Sequence, residues 1–393
     1  MKILSINAGS SSLKFQMYEM PEETVLISGT FERIGIGGSF YTIKLNGEKI
    51  KKEKEFKDHS EAVQTLIDEL LSNGVIKSLD EIKGVGHRLV HGGEKYAKSV
   101  VITDDVIKTM EELSDLAPLH NPANLIGVRA FMEKIPNALQ VGCFDTAFHQ
   151  SMAKTEYLYP VPYEWYEKYG VRKYGFHGMS HNYIADRMKD ILGKEDIKII
   201  SCHIGNGGSV CAIKDGKSFD TSMGFTPNAG LMMGSRSGGI DATLIPYVMK
   251  KTGKNLEEVF DDLNKHSGYL GVSGISSDSR DIEEAIHEGN DRAKLSQDIY
   301  VQKIVNYIAR YYVELGGCDA ICFTAGVGEN SASTRKAIVD KLAPLDIKLD
   351  EERNNVRGKE ALISTDDSKV KVYVIPTDEE VMIARDTYKF IQE

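Results

Sequence analysis

The chain has 393 residues, past the length at which one hydrophobic core keeps growing, which implies two domains. Its 41% hydrophobic and 27% charged residues are those of an ordinary globular enzyme. A formal net charge of −10 excludes a broad nucleic-acid or anionic-membrane surface, since both need basic residues in excess. No apolar stretch approaches membrane-spanning length, and the N-terminal run is too short for a signal peptide. The five cysteines (Cys143, Cys202, Cys211, Cys318 and Cys322) form no CxxC pair and mostly sit in apolar, strand-like runs. Reduced thiols of a cytoplasmic protein are expected from them, not a disulfide framework.

Taken in chain order, Leu4–Ile6 and the alternating run Leu13–Glu19 read as a hairpin across the turn Asn7–Ser12. From Asp58 to Leu71 the pairs Ala62/Val63, Leu66/Ile67 and Leu70/Leu71 recur every four residues, an amphipathic helix. Asp58 and Glu61 suggest a capping box at its start, and Gly74 follows its end. Asn121-Pro122 opens another helix. Residues 197–216 repeat the N-terminal plan of strand, small-residue turn and strand, which suggests a duplicated unit with its boundary near residue 150. The longest helical pattern runs from about Arg292 to Leu315.

Three segments suit phosphate. Asn7-Ala8-Gly9-Ser10-Ser11-Ser12 offers a freely turning backbone, exposed N–H groups and hydroxyls, with Lys14 following. It is not a Walker A loop, and an ordinary hairpin turn is the alternative reading. Gly205-Asn206-Gly207-Gly208-Ser209 is the second. Ala325-Gly326-Val327-Gly328-Glu329-Asn330, after an apolar strand and before a helix expected at about Ser331, is the third. Three such loops favour a nucleotide enzyme.

Cationic and acidic positions complete the pattern. Arg88 ends an apolar strand beside glycines, and Arg236 stands alone in Gly234-Ser235-Arg236-Ser237-Gly238; a structural salt bridge is the alternative for each. His177 lies in a glycine-lined segment and His120 at a helix entry. Zinc is disfavoured. His87 and His91, four apart on an expected strand, would be about 13 Å apart, and His181 falls in a helix expected to be capped by Ser180, with His177 before it. Asp145 and the Asp378-Glu379-Glu380 run each follow an apolar strand, where a carboxylate can hold Mg²⁺. First-turn carboxylates facing a helix dipole are the alternative for the latter.

Together these segments resemble the acetate kinase family, within the superfamily of acetate and sugar kinases, heat-shock chaperones and actin. The resemblance is nearly full length. It runs through NAGSSSLKF, GHRLVHGG, LAPLHNPAN, FDTAFH, YGFHGMSH, HIGNGGS, MGSRSGG and GVGEN to PTDEEVMIAR. It implies an α/β, two-domain actin-like (ribonuclease H-like) fold of duplicated mixed sheets flanked by helices, each sheet five-stranded, with an active-site cleft between the domains. Residues 1–148 plus about 383–393 would form the N-terminal domain, and 149–382 the nucleotide-binding domain.

The same resemblance implies reversible transfer of the ATP γ-phosphoryl to acetate, with ADP and acetyl phosphate as products. Asn7 and Glu379 would lie near Mg²⁺, with Mn²⁺ the alternative. Asp145, Arg88, His177, Arg236 and His120 would be catalytic. Lys14, Ser10, Ser12, His203, Ile204, Gly205, Asn206, Gly207, Asp278, Ser279, Arg280, Gly326, Val327, Gly328, Glu329 and Asn330 would contact ATP. Val90, Leu119, Phe176 and Pro227, with Arg88, would receive the short acid. No nucleic-acid or membrane partner is implied; a cytoplasmic homodimer is the family expectation. Propionate or butyrate kinase, and an ATPase module of the actin type, are the rival readings.

Overall fold

The computed structural model describes residues 1–118 and 120–393, so Leu119 lies outside the described residues. The chain divides into two compact units, Met1–Phe148 with Asp378–Glu393, and His149–Thr377.

The first unit is built on an eight-stranded sheet among the described residues: β1 (Lys2–Ala8), β2 (Ser12–Glu19), β3 (Thr24–Glu32), β4 (Phe40–Leu45), β5 (Glu48–Glu53), β6 (Ile82–Leu89), β7 (Val100–Val101) and β8 (Leu139–Phe144). Their order is β5-β4-β3-β2-β1-β6-β8-β7. β1 and β2 form the expected hairpin, with Asn7 opposite Lys14. Leu13, Phe15 and Met17, on one face of β2, are buried in a core with Ala62, Leu66 and Leu70 of the helix His59–Ser72. That helix is capped differently from expectation. Asp58 accepts from the Glu61 N–H at 3.0 Å, but Glu61 reaches one residue further back, to the Lys57 N–H.

The C-terminal helix Glu379–Gln392 packs on β1, β6 and β8. The glycines of β6 make this possible. A Cβ on Gly86 would stand 2.3 Å from Thr387 Oγ1 and 2.4 Å from Ile383 Cγ2, so only glycine lets the helix lie this close. Its first residue, Glu379, is thereby brought to the end of β6, where Arg88 sits.

The second unit carries a six-stranded sheet of β9 (Lys198–Ile204), β10 (Gly208–Lys214), β11 (Lys217–Thr221), β12 (Ala320–Thr324), β13 (Ala361–Leu362) and β14 (Lys371–Val374), ordered β11-β10-β9-β12-β14-β13. A buried face of the helix Asp291–Glu314 (Tyr300, Ile304, Ile308, Tyr311) packs on it. Five strands are shared in order and sense: β3-β2-β1-β6-β8 in one sheet and β11-β10-β9-β12-β14 in the other. The expected five strands are therefore the common core, and each sheet extends beyond it at its edges. β5 (EKIKKE) is exposed throughout, and its charges suit an edge strand that must not pair further.

Three local expectations are corrected. The segment 325–330 is not an open glycine turn but a short helix, Ala325–Asn330, followed by a second helix Ala332–Lys341 capped by Ser331. The helix expected to be capped by Ser180 begins at Gly178, with His177 at its N-cap in the left-handed region (φ 56°). β6 ends at Leu89, so His91 lies past the strand.

Candidate active site

In the first unit several of the expected site residues gather where β1, β6 and β8 end. Arg88 Nε donates to Asp145 Oδ1 at 3.2 Å, and its Nη2 donates to Asp145 Oδ2. Nη1 donates to Asn7 Oδ1 at 3.3 Å, and Glu379 Oε2 stands 3.9 Å from Nε. Lys14 pairs with Glu380. Asp145 is buried.

Burial lowers the guanidinium pKa of Arg88, but Asp145 and Glu379 outweigh it and the net shift is upward. Glu379 is pushed above the usual carboxylate range by burial, with Glu380 and Asp378 adding to the rise and Arg88 and Lys14 opposing it. Around this point Asp145, Asp378, Glu379 and Glu380 face the two cations Arg88 and Lys14. Four carboxylates thus face two cations, and this excess of negative charge beside Asn7 Oδ1 suits a divalent metal.

The remaining first-unit residues lie around this cluster. Ser12 is half-buried at the start of β2, its carbonyl accepting from Gly9 N–H, while Ser10 is exposed at the turn. Val90 is buried, its N–H bound by Asn124 Oδ1. His120 occupies the N-cap of the helix Asn121–Lys134.

The second unit holds a cavity of ≈ 540 Å³. Among the residues expected at ATP, Gly205, Asn206, Asp278, Ser279, Arg280, Gly326, Val327 and Asn330 line it. Asp278 caps the helix Ser279–His287, and Arg280 holds its carboxyl down at about 2. Gly234 has to be glycine. A Cβ there would meet Asn206 Oδ1 at 1.9 Å and the Ser277 carbonyl at 2.7 Å.

Five of the ATP residues expected in this unit are not in this wall. The Ile204 side chain is part of the hydrophobic core, and Gly328 is buried against Phe323 and Cys202. Glu329 turns back to accept from the N–H groups of Ala325 (2.7 Å) and Thr377 (3.1 Å), tying two strand ends together. His203 and Gly207 belong to a neighbouring cluster. The His177 and His203 rings stack with centroids 4.0 Å apart, and a Cβ on Gly207 would lie 3.8 Å from His177 Nε2 and 3.7 Å from Arg236 Nη1.

Arg236 Nη1 donates to the Pro227 carbonyl at 3.4 Å, and no carboxylate pairs with Arg236 among the described residues. Burial lowers its pKa. A half-buried guanidinium without a carboxylate partner can receive an anion. Phe176, next to His177 in the chain, is buried, its carbonyl accepting from His149 Nε2 at 2.8 Å.

Ring nitrogens in this region face serines. His177 Nδ1 lies 2.9 Å from Ser209 Oγ, His181 Nε2 2.8 Å from the same oxygen, His181 Nδ1 2.9 Å from Ser201 Oγ, and His203 Nδ1 2.8 Å from Ser180 Oγ. His87 Nε2 meets Gln140 Oε1 at 2.8 Å, and His91 Nδ1 accepts from Gly93 N–H. The sole three-residue metal-capable grouping among the described residues is Glu156, Asp220 and Glu314, which contains no histidine.

Tyr269, Glu283, Ser331 and Arg357 also line the cavity and were not anticipated. Glu283 lies one turn beyond Arg280 on the same helix, a spacing that could have flagged it. Arg357 comes from a distant loop, its Nε donating to the Asn330 carbonyl at 3.1 Å, and carries no sequence signal.

The chain is similar to known proteins over its whole length. The model of the acetokinase family matches residues 2–385. An acetate kinase of Bacillus cytotoxicus is 56% identical over 390 residues, covering 99% of this chain and 98% of that protein. The crystal structure of Porphyromonas gingivalis acetate kinase superposes with a TM-score of 0.95 at 48% identity, covering 100% of both chains. A propionate kinase from Francisella tularensis superposes at 0.94 with 39% identity and 99% coverage of both. The two sheets, with their repeated five-strand order and flanking helices, are those of the actin-like fold of such enzymes. With the oxygen-lined Arg88 cluster in one unit and the glycine-walled cavity beside Arg236 in the other, the chain belongs to the acetokinase family.

Proposed function

We propose that this chain is an acetate kinase, transferring the γ-phosphoryl of ATP to acetate by direct in-line displacement. A carboxylate oxygen of acetate forms the new bond to phosphorus. The bond from phosphorus to the β-phosphate oxygen breaks, and its electron pair leaves with ADP. Acetate is ionised at neutral pH, its pKa being about 4–5, so no general base is needed. This agrees with Asp145 being occupied by Arg88.

The observation that carries the reading is Arg236: a half-buried cation with no carboxylate partner among the described residues, near His177 and next in the fold to a nucleotide-sized cavity. Arg88, Arg236 and His177 stabilise charge on the equatorial oxygens in flight. Gly205, Asn206, Asp278, Ser279, Arg280, Gly326, Val327 and Asn330 hold the nucleoside part of ATP. Lys14, Ser10, Ser12, His203 and Gly207 serve its phosphates. Val90, Phe176 and Pro227 receive the methyl group, with His120 supporting.

Asn7 and Glu379 hold the divalent metal that the family uses. Mg²⁺ is the reading that their hard oxygens favour. When bound, it neutralises charge on the β- and γ-phosphate oxygens. No helix among the described residues is long and apolar enough to cross a membrane, and we place the protein in the cytoplasm as a homodimer. Support for the dimer comes from helices of the second unit that expose large apolar side chains, among them Trp165, Tyr169, Leu244, Tyr247 and Phe260.

The test is to incubate the protein with Mg-ATP and acetate, propionate or butyrate in turn, trapping acyl phosphate as its hydroxamate and measuring ADP. Acid-dependent product with the largest kcat/KM for acetate supports the reading. A preference for propionate, which the Francisella resemblance keeps as the second reading, revises the acyl pocket alone. ADP formed equally without acid overturns the whole.

A further inference from the structure

Ser201, His181 and Ser209 form an unbroken hydrogen-bonded chain that ends on His177. Ser201, His181 and Ser209 are all fully buried. Burial, with His149 and His203 close by, keeps His181 neutral, so its ring carries a single N–H. That ring therefore donates to one serine and accepts from the other, and two concerted settings exist.

In the first setting, Ser201 donates to His181 Nδ1, His181 Nε2–H donates to Ser209, and Ser209 donates to His177 Nδ1. A neutral His177 then carries its proton on Nε2. In the second setting every bond is reversed, and His177 carries the proton on Nδ1. Ser209 makes the same two bonds in both. Ser201 does not. Its hydroxyl has no second hydrogen-bond partner among the described residues, so the reversed chain would strand a buried O–H without an acceptor. The first setting keeps Ser201, His181 and Ser209 all bonded.

We infer that Ser201, His181 and Ser209 are positioning residues that hold neutral His177 as its Nε2–H tautomer, so that it donates a hydrogen bond to the transferring phosphoryl without being protonated. The Nε2 edge is the one beside Gly207 and Arg236 Nη1, whereas Nδ1 is already engaged by Ser209. Donation to a phosphoryl oxygen must come from Nε2. This rests on the phosphoryl-transfer reading of the site for its consequence, but the tautomer itself is a property of the ligand-free protein.

Two measurements separate the two layers. In ¹⁵N spectra of histidine-labelled protein without ligands, the His177 signals, assigned by their loss in His177→Gln, are expected to show an unprotonated Nδ1 and a protonated Nε2 at pH 7.5. A protonated Nδ1 overturns the inference whatever the enzyme does.

In kinetics, Ser209→Ala removes the lock. Its kcat at pH 7.5 is expected to fall at least about 5-fold, with both tautomers appearing in the His177 spectrum. Ser209→Thr, which keeps the hydroxyl, restores the wild-type kcat and spectrum. A loss of kcat in Ser209→Ala with the His177 spectrum unchanged means a packing role and overturns the inference. Should Ser209→Ala not fold, Ser201→Ala tests the same point. It removes the asymmetry between the settings, and the His177 spectrum is expected to show both tautomers; an unchanged spectrum overturns the inference. If wild type makes no acid-dependent ADP, the site reading fails while the tautomer measurement still decides the chain of hydrogen bonds.

Discussion

Arg88 holds Asp145 side-on, Nε and Nη2 each donating to a different oxygen of one carboxylate that is only 1% exposed. A carboxylate engaged in this way fixes a guanidinium in place. Asp145→Asn keeps the shape but removes the charge. The expected result is a kcat lower by on the order of 10²-fold with a smaller change in KM, because what is lost is the aim of Arg88 at the transition state. An unchanged kcat would mean that Asp145 has no part in aiming it.

The two arginines differ in what their removal does to stability. Arg88→Ala takes the guanidinium away from buried Asp145, and should destabilise the protein by about 3–5 kcal/mol. Arg236 has no carboxylate to abandon, so Arg236→Ala should stay within about 0.5 kcal/mol of wild type. Both should lower kcat by on the order of 10²–10³-fold. Parallel denaturant titrations and kinetics check this; near-wild-type kcat in either variant would remove that residue from the phosphoryl-transfer assignment.

Gly234 is placed against Asn206 and Ser277 with no room for a methyl group. Gly234→Ala should therefore displace the Asn206 side of the cavity and raise KM for ATP by on the order of 10-fold, with KM for acetate changed far less. Equal effects on both substrates would show a general loosening of the unit instead.

Burial pulls the imidazoles of His87 and His149 down to about 4. Unfolded, they titrate near 6.5. Between those values the unfolded chain binds more protons, so stability is full above pH 6.5 and is lost as pH falls towards 4. Each residue should contribute a loss of roughly 1.4 kcal/mol per pH unit in that window. Urea unfolding at pH 7 and pH 5 should show a shallower decline in His87→Gln and in His149→Asn than in wild type, and an unaltered decline would refute the assignment.

Much of the site is legible in the linear sequence because its residue types have few other uses. Arg236 among glycines and serines, His177 between Gly175 and Gly178, and the 205–209 loop all stand out before any fold is known. Local structure was partly legible. Alternation in β2 and four-residue spacing in the helix His59–Ser72 place both elements correctly, because hydrophobic period is a property of neighbours in the chain. The segment 325–330 misled for a physical reason. Two glycines lower helix propensity, but Glu329 folds back onto the Ala325 N–H and holds the turn closed.

The sequence by itself determined the repeated strand–turn–strand plan, the absence of a basic surface, and the cationic and glycine-rich positions, since these depend on residue type and spacing alone. The tertiary structure decided the rest: that Asp145 belongs to Arg88, that Arg357 reaches the cavity wall, and that Ser201 and Ser209 stand on either side of His181. Each of these joins residues that are distant in the chain or carried on different strands and helices. Such pairs meet only when sheet order, strand register and loop placement bring their backbones together.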